Sequence, residues 1–221
     1  PPVPQHYPIL KKLNAKGPTP VGHLPVAPGL PPEQFQSAIE QGNAQLVDTR
    51  QMLAFGGGHI PGAINIGDRP ELSVWAGDLL SYDKPIVEDP EQLDWISWHF
   101  GYVGLTDFAG YLTGGMKAWS NAGLPLATLA QLPVQELHER RKEFQLLDVR
   151  SPSEYESSRI AGARHQYVAE MRDGPDDNLD LDPAKPVAVY CGSGYRASIA
   201  ASILKRNEFQ HVFNVPGSML A

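Results

Sequence analysis

A chain of 221 residues with 42% hydrophobic and 19% charged residues has the make-up of an ordinary globular protein, long enough for one large domain or two small ones. Its formal net charge of −7 speaks against a nucleic-acid or anionic-membrane surface, since both call for clustered Lys and Arg. One cysteine excludes an internal disulfide, and no apolar stretch approaches the ~20 residues that cross a bilayer, so a soluble, reducing, cytoplasmic setting is expected.

Residues 1–31 are rich in Pro and Gly and lack periodicity, so they read as an extended arm or interdomain connector; Pro1-Pro2-Val3-Pro4 is not a signal peptide. The remainder is duplicated at a spacing of about 100 residues. Leu46-Val47-Asp48-Thr49-Arg50 answers Leu146-Leu147-Asp148-Val149-Arg150, and His59-Ile60-Pro61-Gly62-Ala63 answers Arg159-Ile160-Ala161-Gly162-Ala163. Gly114-Gly115-Met116-Lys117-Ala118 answers Gly217-Ser218-Met219-Leu220-Ala221. The halves are therefore divided into domains at 32–126 and 127–221, the second cut short where its last helix should begin.

Each half follows one grammar. A polar helix (33–41, then 134–144) leads into an apolar strand ending in Asp-x-Arg. A short turn carries the Ile-x-Gly-Ala segment. A second apolar strand (85–88, then 186–190) is followed by a helix (91–102, then 196–207) and a third strand (108–112, then 211–215). Strands alternating with helices predict an α/β fold with a parallel sheet covered on both faces. Loops at the carboxyl ends of such strands are where sites form.

One of those loops is Cys191-Gly192-Ser193-Gly194-Tyr195-Arg196, between the strand 186–190 and a helix. A thiol there faces a ring of backbone N–H groups and the positive end of a helix dipole, a setting that favours thiolate. The two glycines let successive N–H groups converge without Cβ clashes. Arg196 closes the loop, either binding an anionic substrate or holding the loop through carbonyl contacts. Such a thiolate can take one sulfur atom from a donor as a persulfide and pass it on, in two half-reactions that need no metal or organic cofactor.

Taken in order, and twice, these segments resemble a tandem rhodanese, a pair of sulfurtransferase domains, over about residues 32–221. The resemblance implies two rhodanese-like domains, each a small parallel sheet flanked by helices. It implies Cys191 as the persulfide-carrying nucleophile, with the main-chain N–H groups of Gly192 through Arg196 cradling the transferred sulfur. It implies a small-molecule sulfur donor, such as thiosulfate or a low-molecular-weight persulfide, and a thiol or cyanide as acceptor. The first half departs from the pattern: Ile86-Val87-Glu88 runs into Asp89-Pro90-Glu91 without a cysteine. Asp89 reads there as a helix N-cap with Pro90 at the first helical position, so this half is expected to be catalytically silent. Pro1 through Pro8 and Lys11 through Gly17 also resemble the connector that follows a metallo-β-lactamase-fold domain, typically a persulfide dioxygenase or related hydrolase. The chain has no paired-histidine motif of its own for such a site.

The other conspicuous residues are read more plainly. Asp148 and Arg150 are expected to support the site by tying strand to loop, more than by touching substrate; Asp48 and Arg50 likewise. His165 is assigned to a surface or packing role, His59 to a structural hydrogen bond, and the seven histidines show no metal-ligand spacing. Trp95 and Trp98, at i and i+3 on a helix, are assigned to core or interface. The acidic stretch 173–182 lacks the spacing of a calcium loop and reads as solvated. Two other functions compete. One is a non-enzymatic docking or sulfur-carrier module. The other is a phosphatase or arsenate reductase, whose loops place five residues between Cys and Arg where this chain has four (192–195).

Overall fold

The computed structural model describes residues 3–4, 6–17, 27–42, 44–82, 84, 86–89 and 92–220, with the side chains of 86–89 and 220 excepted. In chain order the first half contains α1 (Tyr7–Lys16), β1 (Gly29–Leu30), α2 (Pro32–Glu40), β2 (Gln45–Asp48), α3 (Met52–Gly57), β3 (Ile64–Asn65), α4 (Leu72–Leu79), β4 (Ile86–Asp89), α5 (Leu93–Tyr102), β5 (Phe108–Leu112) and α6 (Gly115–Asn121). The second half contains β6 (Ala130–Gln131), α7 (Val134–Glu139), β7 (Gln145–Asp148), α8 (Pro152–Ser157), β8 (Arg164–His165), β9 (Val187–Tyr190), α9 (Tyr195–Arg206) and β10 (Val212–Asn214). The two sheets run β1-β5-β4-β2-β3 and β6-β10-β9-β7-β8, the same order twice, and their registered pairs are parallel. The expected α/β class with helix-flanked parallel sheets is borne out.

The strands formed where the sequence is apolar without alternation, because both faces are covered. Every residue of β2 and of β9 is buried. Helix starts follow proline: Pro31 precedes α2, Pro133 precedes α7, and Pro152 opens α8 behind the N-cap Ser151. In the second half Leu137 of α7 packs with Leu132, Phe144, Leu146, Ala188, Tyr190 and Val215 as one core on one side of β9. In the first half the corresponding helix contributes Phe35, which meets Trp119 of α6 edge to face at 6.3 Å.

Three expectations are corrected. The arm is not extended throughout, since residues 7–16 form α1, anchored by His6 Nδ1 on Asp78 Oδ1 at 2.9 Å. Asp89 is not an N-cap: it is the last residue of β4, and α5 begins at Leu93 behind Gln92; Pro90 and Glu91 lie outside the described residues. Of the core-or-interface reading, the core alternative fails for Trp98, which is 51% exposed because α5 turns Ile96, Ser97 and Phe100 inward instead.

The described residues form two compact units, and these are not contiguous in sequence. Residues 2–51 and 66–126 make one; residues 52–65 pack with 127–221 in the other. Within that second unit the peptide N–H of Asn65 donates to Ser202 Oγ at 3.0 Å, and Ser198 Oγ donates to Asn65 Oδ1 at 2.6 Å, all three residues being buried. Among the described residues no helix is long and apolar enough to cross a membrane, and no group of three His, Cys, Asp or Glu is placed to hold a metal ion.

Candidate active site

β9 delivers Cys191 to the carboxyl edge of the second sheet, and α9 begins four residues later. Gly194 makes the turn between them with φ +97°, a conformation that side-chained residues adopt only under strain. Its N–H donates to Cys191 Sγ at 3.1 Å, so a peptide dipole and the amino end of α9 both face the sulfur. Cys191 is 1% exposed, while Gly192, Ser193 and Arg196 of the same loop are partly exposed.

The loop is held from below by the segment after β10. Cys191 N–H donates to Ser218 Oγ at 3.2 Å, Met219 N–H donates to the Cys191 carbonyl at 3.2 Å, and Gly217 N–H donates to the Ser193 carbonyl at 3.2 Å. Ser218 Oγ in turn donates to the Val215 carbonyl. Ser218 adopts φ +46°, as does its repeat counterpart Gly115 with φ +58°. A serine accepts that strain because its hydroxyl satisfies the buried N–H of Cys191. The space at Gly194 is equally tight. A Cβ there would lie 2.9 Å from Pro216 Cα and 3.1 Å from Met52 Sδ. Gly194→Ala is therefore expected to destabilise the fold by about 1–3 kcal/mol and to cut thiol reactivity, as measured by urea unfolding and iodoacetamide labelling. Wild-type behaviour in both would show that the turn tolerates a side chain.

Arg196 does not hold the loop through carbonyls. Its Nη1 and Nη2 donate to Glu154 Oε2 and Oε1 at 2.7 and 2.8 Å, a bidentate pair. Glu154 also accepts from Ser151 N–H at 3.0 Å and from Ser151 Oγ at 2.7 Å, closing the capping box of α8. These bonds, with Arg196 foremost, hold the Glu154 carboxyl down at about 2, and Glu154 raises the Arg196 guanidinium further. Sequence reasoning missed Glu154, although Ser151-Pro152-Ser153-Glu154 is a legible capping box. It also missed Ser218, whose bond to Cys191 spans 27 residues.

Asp148 and Arg150 sit beneath the loop at the end of β7. Arg150 Nε donates to Asp148 Oδ1 at 3.0 Å and Nη2 to Oδ2 at 2.6 Å. Nη2 also donates to the Ser158 carbonyl at 2.6 Å, so the pair ties the strand to the loop after α8. Asp48 and Arg50 repeat the arrangement in the first half. Tyr190, buried beside Asp148, has its hydroxyl pushed well above the usual range by burial, by the Asp148 charge and by its bond to that carboxylate. His165 Nε2 donates to the Arg150 carbonyl at 2.8 Å and its ring stacks on Tyr155, and His59 Nδ1 donates to the Phe55 carbonyl at 2.8 Å.

In sequence the first half has no cysteine to answer Cys191. Strand register pairs Asp48 with Asp89 and Asp148 with Tyr190, so in sequence the residue that answers Cys191 is Pro90. The family model described as Rhodanese-like domain matches this sequence twice, over residues 31–122 and 133–221. The chain belongs to the rhodanese-like family. Among relatives, the uncharacterized protein YqhL of Bacillus subtilis is 30% identical over 86 residues, covering 39% of this chain and 66% of YqhL. The tRNA uridine(34) hydroxylase of Protochlamydia amoebophila is 30% identical over 97 residues, covering 42% of this chain and 30% of the hydroxylase. The chain thus spans no more than about two thirds of the length of these relatives. Among solved structures, SseA of Escherichia coli, described as a 3-mercaptopyruvate sulfotransferase, is 18% identical with a TM-score of 0.39, covering 87% of this rhodanese-like chain and 99% of SseA.

Proposed function

We propose that this rhodanese-like protein is a sulfurtransferase that carries sulfane sulfur on Cys191. The observation that carries the reading is the Gly194 N–H aimed at Sγ from the amino end of α9. That dipole stabilises negative charge on Cys191 as thiolate and on the terminal sulfur of its persulfide. In the first half-reaction the Cys191 thiolate attacks the outer sulfur of thiosulfate. A new S–S bond forms as the old one breaks, and sulfite leaves with the bonding pair. In the second, a thiolate or cyanide attacks the terminal sulfur, and Cys191 leaves as thiolate. With cyanide the product is thiocyanate, and no external oxidant or reductant enters. Gly192, Ser193 and Tyr195 shape the mouth around that sulfur, while Asp148 and Arg150 fix the strand that presents it.

The burial of Cys191 supports a second reading, a sulfur carrier or docking module without turnover. Incubating the protein with thiosulfate and recording its mass, with thiocyanate release assayed in parallel, separates the two. The expected result is a gain of one sulfur atom, about 32 Da, on Cys191 together with steady thiocyanate formation. A stable adduct without turnover would favour the carrier. Neither adduct nor turnover, with phosphate released from p-nitrophenyl phosphate, would sink both in favour of the phosphatase. The single buried thiol also supports placement in a reducing cytoplasm, and the resemblance of residues 1–17 supports an upstream metallo-β-lactamase-fold partner domain.

A further inference from the structure

We infer that Glu154 sets which sulfur donors the site accepts, by neutralising the guanidinium of the active loop and so favouring singly charged donors over a dianion such as thiosulfate. The inference rests on the sulfurtransferase reading.

The segment 191–196 carries one basic side chain, Arg196. A doubly charged oxyanion entering the loop would be expected to take that guanidinium as its bidentate partner. Both terminal nitrogens are already turned to Glu154, at 2.7 and 2.8 Å. Glu154 is not free to yield them, because Oε2 is also held by the Ser151 N–H and hydroxyl. Its carboxyl, held near 2, stays charged at any pH where transfer would be assayed. The cavity of about 490 Å³ that reaches Pro152 of α8 supplies no replacement cation. Its titratable lining includes His165, Glu170, Asp173 and Asp176 and, among the described residues, no Lys or Arg. The repeat offers an internal control. Ala54 stands at the position of Glu154 and Trp95 at that of Arg196, so the half without a nucleophile lacks both members of the pair.

The test compares transfer to cyanide from thiosulfate, a dianion, and from methanethiosulfonate, a monoanion whose outer sulfur is taken as methanesulfinate leaves with the bonding pair. Wild-type protein, Glu154→Gln and Glu154→Asp are assayed, each with a thermal melt. Wild type is expected to show the lower KM for methanethiosulfonate. Glu154→Gln is expected to lower the thiosulfate KM by about tenfold and the methanethiosulfonate KM by about threefold, the scale of one screened charge at ion-pair distance acting on two charges and on one. Its kcat is expected to stay within about threefold for either donor, a split that a merely structural role would not produce. Glu154→Asp, which restores the charge, is expected to return the ratio towards wild type. A KM ratio unchanged in Glu154→Gln overturns the inference, and so does a wild-type preference for thiosulfate, which needs no variant to fold. Absence of a sulfur adduct on Cys191 from either donor overturns the sulfurtransferase reading itself; an adduct with an unchanged ratio overturns only the role of Glu154.

Discussion

Cys191→Ser is expected to lower thiocyanate formation by about a thousandfold or more while leaving the melting temperature within a few degrees of wild type. The hydroxyl is close in size to the thiol and still accepts the Gly194 N–H that now reaches Sγ at 3.1 Å. What it lacks is the low cost of ionisation and the capacity to form and break an S–S bond. The bonds holding the loop, from Ser218, Gly217 and Met219, all use main-chain atoms of the loop and are untouched by the change. Thiocyanate assays and melts on the same preparation decide it. Transfer persisting near the wild-type rate would mean that the sulfur travels by another route.

Asp148→Ala is expected to cost about 3–5 kcal/mol of stability, the scale for removing one partner of a buried ion pair. Asp148 is 0% and Arg150 5% exposed, so the guanidinium would be left buried with the Ser158 carbonyl but without its paired carboxylate. Two further groups lose by the change. The Arg150 N–H loses its acceptor on Asp148 Oδ1 at 3.0 Å, and the Tyr190 hydroxyl loses its carboxylate. Urea unfolding measures the loss. A shift below about 1 kcal/mol would show that the pair is replaceable by water or by repacking. Removing both partners together is expected to cost less than removing Asp148 alone, since no buried charge is then stranded.

Much of the fold was legible because buried parallel strands carry no polar face. Gln45–Asp48 and Gln145–Asp148 announce themselves twice, each closing on Asp-x-Arg, and the ion pair at that corner follows from the same residues. The Cys191 loop was legible because glycine permits what the turn requires, as the φ of +97° at Gly194 bears out. Helix α1 was not, since Pro8 falls in its first turn and reads by composition as a breaker, though that position suits proline. α1 also buries none of its own residues, so it leaves no apolar stripe to detect. Asp89 misled because an acidic residue before proline is a good cap in isolation; pairing with Asp48 in β2 outweighs that local preference. Glu154 and Ser218 act on the loop across 42 and 27 residues of chain, distances over which spacing conveys nothing.

A duplicated gene ordinarily leaves one copy free to decay. Here the half without a cysteine furnishes Asn65, which bonds two buried hydroxyls on the helix whose amino end faces the sulfur. Without Asn65 the buried Ser198 hydroxyl would lose its acceptor, while Ser202 would keep only its bond to the Ile199 carbonyl at 2.7 Å. A segment of the half without a cysteine thereby helps to fix the helix behind the Cys191 loop.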